Sequence, residues 1–543
     1  MSNGSARLLI MRLGKGPRYY PRLAPPYPFT AARWSSTSAG SSVPRQWSTP
    51  LAKSIAEAIN VTGPVSIAAY MRQCLTLPDG GYYTSRGQED EDTALFGAKG
   101  DFVTSPEISQ IFGELLGVWT VTEWMGQGRK SGGVQVIEFG PGKGTLMGDM
   151  LRSFRNFKSF ASAIEAVYLV ETSPVLREVQ RKLLCGDTPM EEVEVGYKST
   201  SIHLGVPVIW TEHIKLLPNE SDKTPFIFAH EFFDALPIHA FQSIQTPAPS
   251  QTTINTPTGP TTLHQPPISS PHTTEWRELV VSPNPETPEV KSGQEPEFRL
   301  SLAKASTPSS LVLPEMSSRY KALKSTPGST IEISPESQAC VQDIARRIGG
   351  GGGGLVSAPS PGVTDTLKNK VPSGAALILD YGTTSTIPIN SLRGIRKHRL
   401  VSPLVAPGEV DISADVDFTA LAEAAIDASP GVEVYGPMEQ GPFLEALGIS
   451  ERAAQLLRRM EGEGDEEKRK RIESGWKRLV ERGGGGMGKL YKALAVVPES
   501  GGKRRPLAIA TTYQSLYPGD KAAMVNDTPE RFTTYPAKRW KRG

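Results

Sequence analysis

Three glycines at alternate positions follow a carboxylate and a short apolar run. They lie in the stretch EFGPGKGT, residues 138–145, which continues from the apolar residues 134–137. Glycine adopts positive φ without steric cost and lets the backbone approach a ligand closely. Gly140, Gly142 and Gly144 therefore predict a loop that binds a ligand with its backbone. A tight turn without a ligand is the alternative.

The spacing of these glycines does not fit two common phosphate-binding patterns. The dinucleotide fingerprint GxGxxG requires Gly or Ala at position 145, where Thr145 stands. The P-loop requires GxxxxGK followed by Ser or Thr, and residues 138–145 do not contain it. The ligand of this loop is therefore not expected to be held by a pyrophosphate group.

A second carboxylate, Glu171, ends the next apolar run at residues 167–170. Carboxylates at the carboxyl ends of parallel strands accept hydrogen bonds from the two ribose hydroxyls of a nucleoside. Glu138 and Glu171 together predict a nucleoside-containing ligand. The alternative is that Glu171 is a surface acid.

Three polar residues end another apolar run. His230, Glu231 and Asp234 follow residues 226–229 within the segment HEFFDALP. Two carboxylates at the end of a strand favour a cationic partner, with which they form charge-assisted hydrogen bonds. Two structural alternatives stay open: Asp234 could cap a turn before Pro237, and Glu231 could pair with a structural arginine.

The elements that must position these residues alternate between strands and helices. Residues 52–75 show helical spacing with an interruption near Gly63, and a second helix is expected from Ser105, followed by Pro106. Strands are predicted at 134–138, 167–171, 206–210, 226–230, 376–381 and, as a closing edge strand, 490–496. This alternation predicts an α/β domain with a mostly parallel sheet.

Composition and charge limit the class of protein. The chain has 543 residues, a formal net charge of +2, and three cysteines without a CxxC pair. These values argue against a dedicated nucleic-acid binder, a disulfide scaffold and a zinc site. No apolar run is long enough for a transmembrane helix.

The first 50 residues differ from the rest. They contain seven basic side chains and no acidic one, and they are rich in serine. This composition predicts a mitochondrial transit peptide over residues 1–50; a basic tail that targets nothing is the alternative. Residues 51–130 are predicted as an N-terminal helical segment, 131–500 as the main domain and 501–543 as a tail.

Three stretches of the main domain are predicted to be disordered inserts. Residues 243–274 contain many prolines and threonines but no Lys, Arg, Asp or Glu, residues 281–310 are also rich in proline, and residues 349–372 include six consecutive glycines. Such segments bury too little apolar surface to offset their ordering entropy. The flanks of the first insert, near Phe241 and Trp276, resemble two arms of a hairpin.

Several motifs in order resemble those of the MidA family of mitochondrial protein arginine methyltransferases, which are complex I assembly factors. The loop at 138–145 is similar to motif I of S-adenosylmethionine methyltransferases. The matching segments are GDFVTSPE (100–107), EFGPGKGT (138–145), HEFFDALP (230–237), LDYG (379–382), LRGIRKH (392–398), PGEVDIS (407–413) with VDF (416–418), and MGK (487–489). The sequence departs from the family at His230, Lys143 and Ser413, where Asn, Arg and Thr are more usual.

The resemblance implies a Rossmann-like class I fold, the cofactor S-adenosylmethionine and a mitochondrial matrix location. It implies cofactor-binding roles for Glu138, Gly140, Gly142, Gly144, Thr145 and Glu171. It further implies a type II enzyme that symmetrically dimethylates an arginine of the 49-kDa subunit of complex I.

The chemistry of the acceptor suggests which residues act on it. Arginine stays protonated in proteins, and carboxylates can grip its planar guanidinium and aim one nitrogen. Glu231 and Asp234 are predicted to form this clamp, and His230 to assist proton loss. The alternatives are an assembly chaperone that binds the cofactor without catalysis, and a methyltransferase for a small metabolite.

Overall fold

The predicted alternation of helices and strands is present along the chain. The computed structural model describes residues 45–85, 103–247, 252–256, 259–263, 272–293, 295–350, 371–460, 466–509 and 513. Over these residues the α-helices are α1 (Pro50–Thr62), α2 (Ile67–Thr76), α3 (Tyr82–Ser85), α4 (Ser105–Ile108), α5 (Gln110–Gly126), α6 (Thr145–Phe154), α7 (Lys158–Ala163), α8 (Pro174–Cys185), α9 (Pro288–Lys291), α10 (Pro308–Val312), α11 (Ser318–Lys324), α12 (Pro335–Gly349), α13 (Phe418–Ala428), α14 (Gln440–Ala446), α15 (Ile449–Arg459) and α16 (Glu466–Val480).

The strands form one large sheet and three smaller ones. They are β1 (Val65–Ser66), β2 (Val134–Phe139), β3 (Ile164–Val170), β4 (Glu191–Val193), β5 (Gly196–Thr200), β6 (Pro207–Thr211), β7 (Thr224–His230), β8 (His239–Pro247), β9 (Thr252–Thr256), β10 (Gly259–Leu263), β11 (His272–Pro283), β12 (Phe298–Leu302), β13 (Thr330–Ile333), β14 (Ala375–Thr383), β15 (Arg393–Arg396), β16 (Arg399–Val401), β17 (Asp411–Ser413), β18 (Val416–Asp417), β19 (Val432–Glu439) and β20 (Tyr491–Pro498).

The large sheet runs in the order β19-β20-β14-β7-β2-β3-β6-β5-β4. The five strands from β14 to β6 pair in parallel, and the outer strands pair antiparallel. Every residue of β2 and β7 is buried, as expected for parallel strands covered by helices on both faces. The Rossmann-like α/β fold is thereby confirmed.

The strand order reverses between β2 and β7. From β2 the chain proceeds to β3 and β6 on one side, and from β7 it proceeds to β14 and β20 on the other. Ligands of open parallel sheets bind outside the carboxyl ends of the strands at such a reversal. The two loops at this point are the glycine loop, residues 140–144, and the segment 230–234, here called the acceptor loop.

Apolar clusters cover both faces of the sheet. On one face, Trp119 of α5 and Met147 of α6 pack with the side chains of β2 and β7. On the other face, Ile344 of α12 and Leu421 of α13 pack with the alternate residues of the same strands. The sheet is therefore rigidly held where the two loops leave it.

Two predicted elements differ in detail. The helix expected from Ser105 is divided at Ser109, whose extended backbone (φ −154°) ends α4 and whose hydroxyl accepts a hydrogen bond from the Ile111 N–H at the start of α5. The strand at 490–496 is present as β20, but it is not an edge, because β19 pairs along its other side.

The two inserts before residue 311 are ordered over the described residues, which differs from the expectation of disorder. β8 and β11 form the two arms of a hairpin, with Phe241 opposite Glu278, as the flanking residues predicted. β9 pairs with β10, and β12 pairs with β11. Residues 351–370 of the third insert lie outside the described residues.

Long-range packing explains the order of residues 281–310. Phe298 on β12 is fully buried, and its ring lies 5.6 Å from that of Trp47 and 5.7 Å from that of Tyr70 on α2. The insert therefore completes its apolar core with the N-terminal helices, which local composition does not reveal. The described residues from Trp47 onward form one compact unit.

The two chain ends lie largely beyond what is described. The predicted leader falls outside the described residues up to position 44, as does most of the predicted tail. The start of the tail packs on α5, where Arg504 pairs with the buried Glu123 at 2.5 Å. Within the described ranges, no helix has the length and apolarity needed to cross a membrane.

Candidate functional site

The glycine loop adopts the backbone conformation that its glycines predict. Gly140, Gly142 and Gly144 have φ values of 59°, 54° and 84°. The Gly140 N–H donates to the carbonyl of Val170 at 3.1 Å, which ties the loop to β3. A Cβ atom on Gly140 would lie 2.9 Å from Cδ2 of Phe232, so this position has no room for a side chain.

Gln180, a buried residue of α8, connects the loop to the neighbouring strands. Its amide Nε2 donates to the Gly142 carbonyl at 2.7 Å and to Glu171 Oε2 at 3.0 Å, while its Oε1 accepts a hydrogen bond from Trp210 Nε1 at 2.9 Å. The sequence analysis did not identify Gln180. It lies nine residues after Glu171 in an ordinary amphipathic helix, and no motif marks it.

The two cofactor-side carboxylates, Glu138 and Glu171, are buried. Glu138 is 3% exposed and its Oε2 has no hydrogen-bond partner. Burial, and then the charge of Glu171, raises the pKa of Glu138 to about 8. Burial also raises the pKa of Glu171 to about 7, although the Ser173 N–H and Gln180 stabilise its charged form.

These features fit a ligand that brings hydrogen-bond donors. A buried polar atom without a partner is unfavourable, and the unpartnered Oε2 of Glu138 lies at the strand end from which the glycine loop leaves. An amino or hydroxyl group of a nucleoside-type ligand would satisfy it. S-adenosylmethionine carries both kinds of group and a positive charge, so the residues present fit this cofactor.

Thr145 is placed differently from the glycines. Its hydroxyl donates to Glu107 Oε1 at 2.7 Å, and Lys143 Nζ lies 3.7 Å from Glu107 Oε2. Thr145 starts α6 directly after Gly144. Its side chain therefore binds α4, and its backbone N–H, at the positive end of α6, is the group that remains near the loop.

The acceptor loop begins with the buried His230 and the partly buried Glu231, which has an uncommon backbone conformation. Glu231 has φ +49°, a value that non-glycine residues rarely adopt and that often marks functional sites. Its N–H donates to the Leu379 carbonyl at 3.0 Å. Its carboxylate accepts hydrogen bonds from the Ser105 N–H at 3.4 Å and from the Tyr491 hydroxyl.

Asp380, within β14, holds the acceptor loop. Its Oδ2 accepts three consecutive backbone N–H groups, from Phe232 at 3.1 Å, Phe233 at 2.8 Å and Asp234 at 3.3 Å. Its Oδ1 accepts the N–H of Tyr381 at 2.8 Å. Asp380 stands in the LDYG motif, but its bonding to a loop about 150 residues earlier could not be predicted from that motif.

Burial dominates the protonation of the acceptor side. It raises the pKa of Glu231 to about 8, with a further contribution from Asp234. It raises the pKa of Asp234 to about 6, against the opposing charge of Arg393, and that of Asp380 well above its ordinary value. Without a cationic ligand, Glu231 therefore retains its proton near neutral pH.

His230 is a neutral partner of Glu231. Burial lowers the pKa of His230 to about 3, so its contact with Glu231, 3.4 Å from Nε2 to Oε1, is not an ion pair. Its ring lies 5.0 Å from that of Phe112. Its Nε2 has no hydrogen-bond partner among the described residues.

Aromatic rings and a guanidinium complete the acceptor side. The rings of Tyr381 and Tyr491 lie 4.1 Å apart. The Arg393 guanidinium lies over the Tyr381 ring at 5.0 Å and pairs with Asp415 at 2.5 Å. The sequence analysis assigned no role to either tyrosine, since both lie far along the chain from Glu231.

α4 contacts both halves of the site. Ser105 at its start donates to Glu231 on the acceptor side, and Glu107 accepts the Thr145 hydroxyl on the cofactor side. The structure thus brings the predicted cofactor-binding and catalytic residues to one edge of the sheet, on two adjacent loops. Within the described ranges, no group of three or more His, Cys, Asp or Glu side chains could hold a metal ion.

Comparisons with known proteins agree with this geometry. Residues 115–438 match a family model described as "Putative S-adenosyl-L-methionine-dependent methyltransferase". The chain is 35% identical over 413 residues to the rat protein named Protein arginine methyltransferase NDUFAF7, mitochondrial, covering 75% of this chain and 76% of the rat protein. It is 32% identical over 454 residues to the human protein of the same name, covering 83% and 84% of the two chains.

A solved structure has a similar fold. It is a COG1565 superfamily member from Burkholderia thailandensis bound to S-adenosyl-homocysteine, with a TM-score of 0.59, 21% sequence identity, and coverage of 86% of this chain and 96% of the other. The family model spans most strands of the large sheet and both loops. The chain therefore belongs to the MidA-like family of S-adenosyl-L-methionine-dependent methyltransferases.

Proposed function

We propose that this protein is a mitochondrial protein arginine methyltransferase of type II. In this proposal it acts in the matrix and symmetrically dimethylates an arginine of the 49-kDa subunit of complex I, which assists complex I assembly. The observation that carries the proposal is the buried acidic acceptor loop, with Glu231 and Asp234, directly beside the glycine loop. The names of the curated relatives and the basic, acid-free first 50 residues support it further.

The cofactor side supplies binding and orientation. We assign the backbone of Gly140, Gly142 and Gly144, with the carboxylates of Glu138 and Glu171, to hold S-adenosylmethionine, and the N-terminus of α6 at Thr145 to face its carboxylate end. When bound, S-adenosylmethionine supplies an electrophilic methyl group on a cationic sulfur. The charge of Glu138 then becomes favourable, because a cation offsets the burial that otherwise keeps it protonated.

The acceptor side supplies a grip for a guanidinium. A protonated arginine entering beside Glu231 and Asp234 stabilises their charged forms and lowers their pKa values. Two carboxylates can bind the planar fork, aim one nitrogen and localise the positive charge on the others. The site brings two cations together, so the negative charge of this loop lowers the barrier by electrostatic stabilisation.

The proton lost from the methylated nitrogen needs an acceptor within the site. Glu231 is ionised while it binds the guanidinium, and because burial favours its neutral form it can then take this proton on its carboxylate. His230 Nε2, 3.4 Å from Glu231 Oε1, can share it. Asp234 is the less basic of the two clamp carboxylates because Arg393 opposes its protonation, and we assign it to binding.

The proposal is tested with Glu231→Gln. This change removes the charge of the clamp but keeps the shape and the distance from the glycine loop. We expect the cofactor affinity, measured by titration calorimetry, to stay within about twofold, and the methyl transfer rate to fall by roughly 100-fold or more. Transfer is measured with radiolabelled S-adenosylmethionine and mitochondrial extract that lacks the enzyme, followed by hydrolysis and identification of symmetric dimethylarginine.

The control is Glu165→Gln, which alters an exposed carboxylate paired with Lys223 at 2.8 Å near the start of β3, at the edge of the sheet opposite the two loops. It should bind cofactor and transfer methyl groups as the unaltered protein does. Normal labelling of a 49-kDa band by Glu231→Gln would show that the clamp lies elsewhere. Label only in small molecules would identify a metabolite enzyme, and no label with cofactor still bound would identify a non-catalytic assembly protein.

A further inference from the structure

A glycine inside α16 is unexpected on local grounds. Gly475 is buried within this helix, where glycine is less favourable than alanine because it loses more conformational freedom on folding. The contact opposite Gly475 supplies a reason for it. A Cβ atom at this position would lie 2.9 Å from the carbonyl oxygen of Ile108, the last residue of α4.

The helices α16 and α4 pack closely at this point because no side chain separates them. A Cβ atom on Gly475 would also lie 3.6 Å from Cγ2 of Ile108 and 3.6 Å from Cβ of Ser109. The nearest of these atoms belongs to the backbone of α4, so it cannot move away by rotation of a side chain. Even a methyl group at position 475 would therefore displace one helix relative to the other.

The C-terminal end of α16 is fixed by the segment that contains the MGK motif, residues 487–489. The Met487 N–H donates to the Arg478 carbonyl at 2.8 Å. A Cβ atom on Gly488 would overlap the carbonyl oxygen of Val480, so this glycine also permits a close approach of two backbone segments. The helix is therefore a firmly held support on which α4 packs.

The short helix α4 carries this support to both halves of the site. Glu107 accepts the Thr145 hydroxyl at 2.7 Å next to the glycine loop, and the Ser105 N–H donates to Glu231 at 3.4 Å on the acceptor loop. Both contacts arise within the single turn that ends at Ile108. A hydrogen bond of 3.4 Å is already long, so a small displacement of α4 would break it.

We propose that Gly475 is a positioning residue: by admitting the Ile108 carbonyl, it lets α16 hold α4 against the glycine loop and the acceptor loop together. Two motifs then serve one arrangement, because the end of GDFVTSPE (100–107) supplies the contacts of α4, and MGK fixes the helix that supports them. The expected effect on arginine methylation rests on the proposed function, whereas the expected effect on cofactor binding does not.

The variant Gly475→Ala tests this role with two readouts. We expect the dissociation constant of S-adenosylmethionine, measured by titration calorimetry, to rise about two- to tenfold, which corresponds to the weakening of one hydrogen bond. We expect kcat for arginine methylation at saturating cofactor to fall by about 10- to 100-fold, because the acceptor loop loses its contact with α4.

The matched control is Gly431→Ala, which introduces a similar backbone overlap elsewhere. A Cβ atom on Gly431 would overlap the carbonyl oxygen of Gly349. The next residue, Val432, pairs with Pro498 at the end of β20, which is the edge of the sheet opposite the two loops. This variant should lower the melting temperature at least as much as Gly475→Ala and change the cofactor affinity and kcat by less than about twofold.

A double-mutant cycle shows whether Gly475 acts through α4. Glu107→Ala removes the contact between α4 and Thr145 and should itself weaken cofactor binding. If α16 reaches the cofactor side through this contact, adding Gly475→Ala to Glu107→Ala should reduce the affinity further by less than about twofold. Losses that multiply in full would mean that Gly475 acts by another route, and would overturn the inference.

Hydrogen exchange in the unaltered protein supplies the test if Gly475→Ala is insoluble. Bound S-adenosylhomocysteine should slow amide exchange in α4 and also in α16 around Gly475, because elements packed on one another open together. The amides of α12, on the other face of the sheet, should change less. Slower exchange in the glycine loop and α8, with α16 unchanged, would overturn the inference.

The outcomes separate the role of Gly475 from the proposed function. Unchanged affinity and kcat in folded Gly475→Ala, or equal losses in Gly431→Ala, would overturn the positioning role and leave the proposed function intact. Absence of dimethylarginine with the unaltered protein would overturn the proposed function. The double-mutant cycle on cofactor affinity would still decide whether Gly475 positions α4.

Discussion

The two acidic regions at the strand reversal are held in place by different means. On the cofactor side, Glu171 is fixed by the neutral amide of Gln180, and Glu138 keeps an unpartnered oxygen. On the acceptor side, a third carboxylate, Asp380, binds the backbone of the loop that carries Glu231 and Asp234. The first region contains a carboxylate oxygen that accepts no hydrogen bond from the protein, whereas the second contains a loop whose backbone conformation is fixed by hydrogen bonds.

This difference reflects what each region would have to bind. A cofactor bound at the glycine loop brings its own hydrogen-bond donors, so the protein needs only to present acceptor oxygens at a rigid edge of the sheet. A protein side chain must be gripped in one orientation, since small displacements in the geometry of a transfer reaction greatly reduce its rate. The four hydrogen bonds that Asp380 accepts provide such a fixed loop.

The largest effect should come from a change where the two regions touch. In Gly140→Val, a branched side chain would have to adopt φ +59° and would lie 2.9 Å from Cδ2 of Phe232 on the acceptor loop. Left-handed backbone is unfavourable by roughly 1–2 kcal/mol for such a residue, and the contact adds to this. We expect the cofactor affinity to fall by about 100-fold or more in titration calorimetry.

Gly128→Val controls for the backbone strain alone. Gly128 has φ +93° after α5, and a Cβ atom there would have no neighbour within 4 Å. Similar losses of cofactor affinity in both variants would mean that backbone strain, rather than the lost space at the glycine loop, is responsible. Transfer that recovers at saturating cofactor in Gly140→Val would show that the two regions act independently.

A smaller effect is expected when the acceptor loop alone is loosened. In Asp380→Asn, the single amide oxygen can accept hydrogen bonds either from the loop N–H groups or from the Tyr381 N–H, depending on the orientation of the amide. The NH₂ group then faces the other set of N–H donors, which loses its acceptor. We expect kcat for arginine methylation to fall by about 10- to 100-fold, with the cofactor affinity within about twofold.

Asp149→Asn is the matched control for a buried carboxylate. Asp149 lies on α6 and pairs with the side chain of Arg152 rather than with a loop backbone. It should lower the melting temperature to a similar extent and leave kcat unchanged. If both variants lose kcat in proportion to their loss of stability, Asp380 has no specific role in positioning the loop.

The same contrast explains how much the sequence could predict. The glycine loop, Glu138 and Glu171 are contiguous with strands whose apolar runs are easily recognised, so the fold and the position of these residues at one edge of the sheet could be predicted from local pattern. Gln180 was missed because it acts from the middle of a helix with no motif. Its role depends on the packing of α8 against the loop.

The acceptor side depends on contacts between distant parts of the chain. Asp380 binds a loop about 150 residues earlier, and Tyr491 reaches Glu231 from near the C-terminus. The family resemblance identified these segments along the sequence but did not predict which of them are in contact. The ordered insert around Phe298 is a similar case, because its burial against Trp47 and Tyr70 lies outside any local window.

The smallest effect concerns the pH dependence of stability, and it separates the two regions without an activity assay. The folded, unliganded protein keeps the proton of Glu138 up to about pH 8, whereas the unfolded chain releases it above its ordinary pKa of 4.5. Between these values the folded state binds more protons, so the free energy of unfolding decreases as the pH rises. Glu231, with a pKa of about 8, contributes in the same direction.

We therefore expect the melting temperature of the unliganded protein to fall between about pH 5 and 8, and to fall less steeply in either Glu138→Gln or Glu231→Gln. Scanning calorimetry with S-adenosylhomocysteine then distinguishes the two residues. The ligand satisfies Glu138, so it should remove the difference in slope between the unaltered protein and Glu138→Gln but keep that of Glu231→Gln. If the ligand removes the difference in slope for both variants equally, the two acidic regions respond to the cofactor as one unit. The conclusion that Gln180 and Asp380 hold two independent regions would then be wrong.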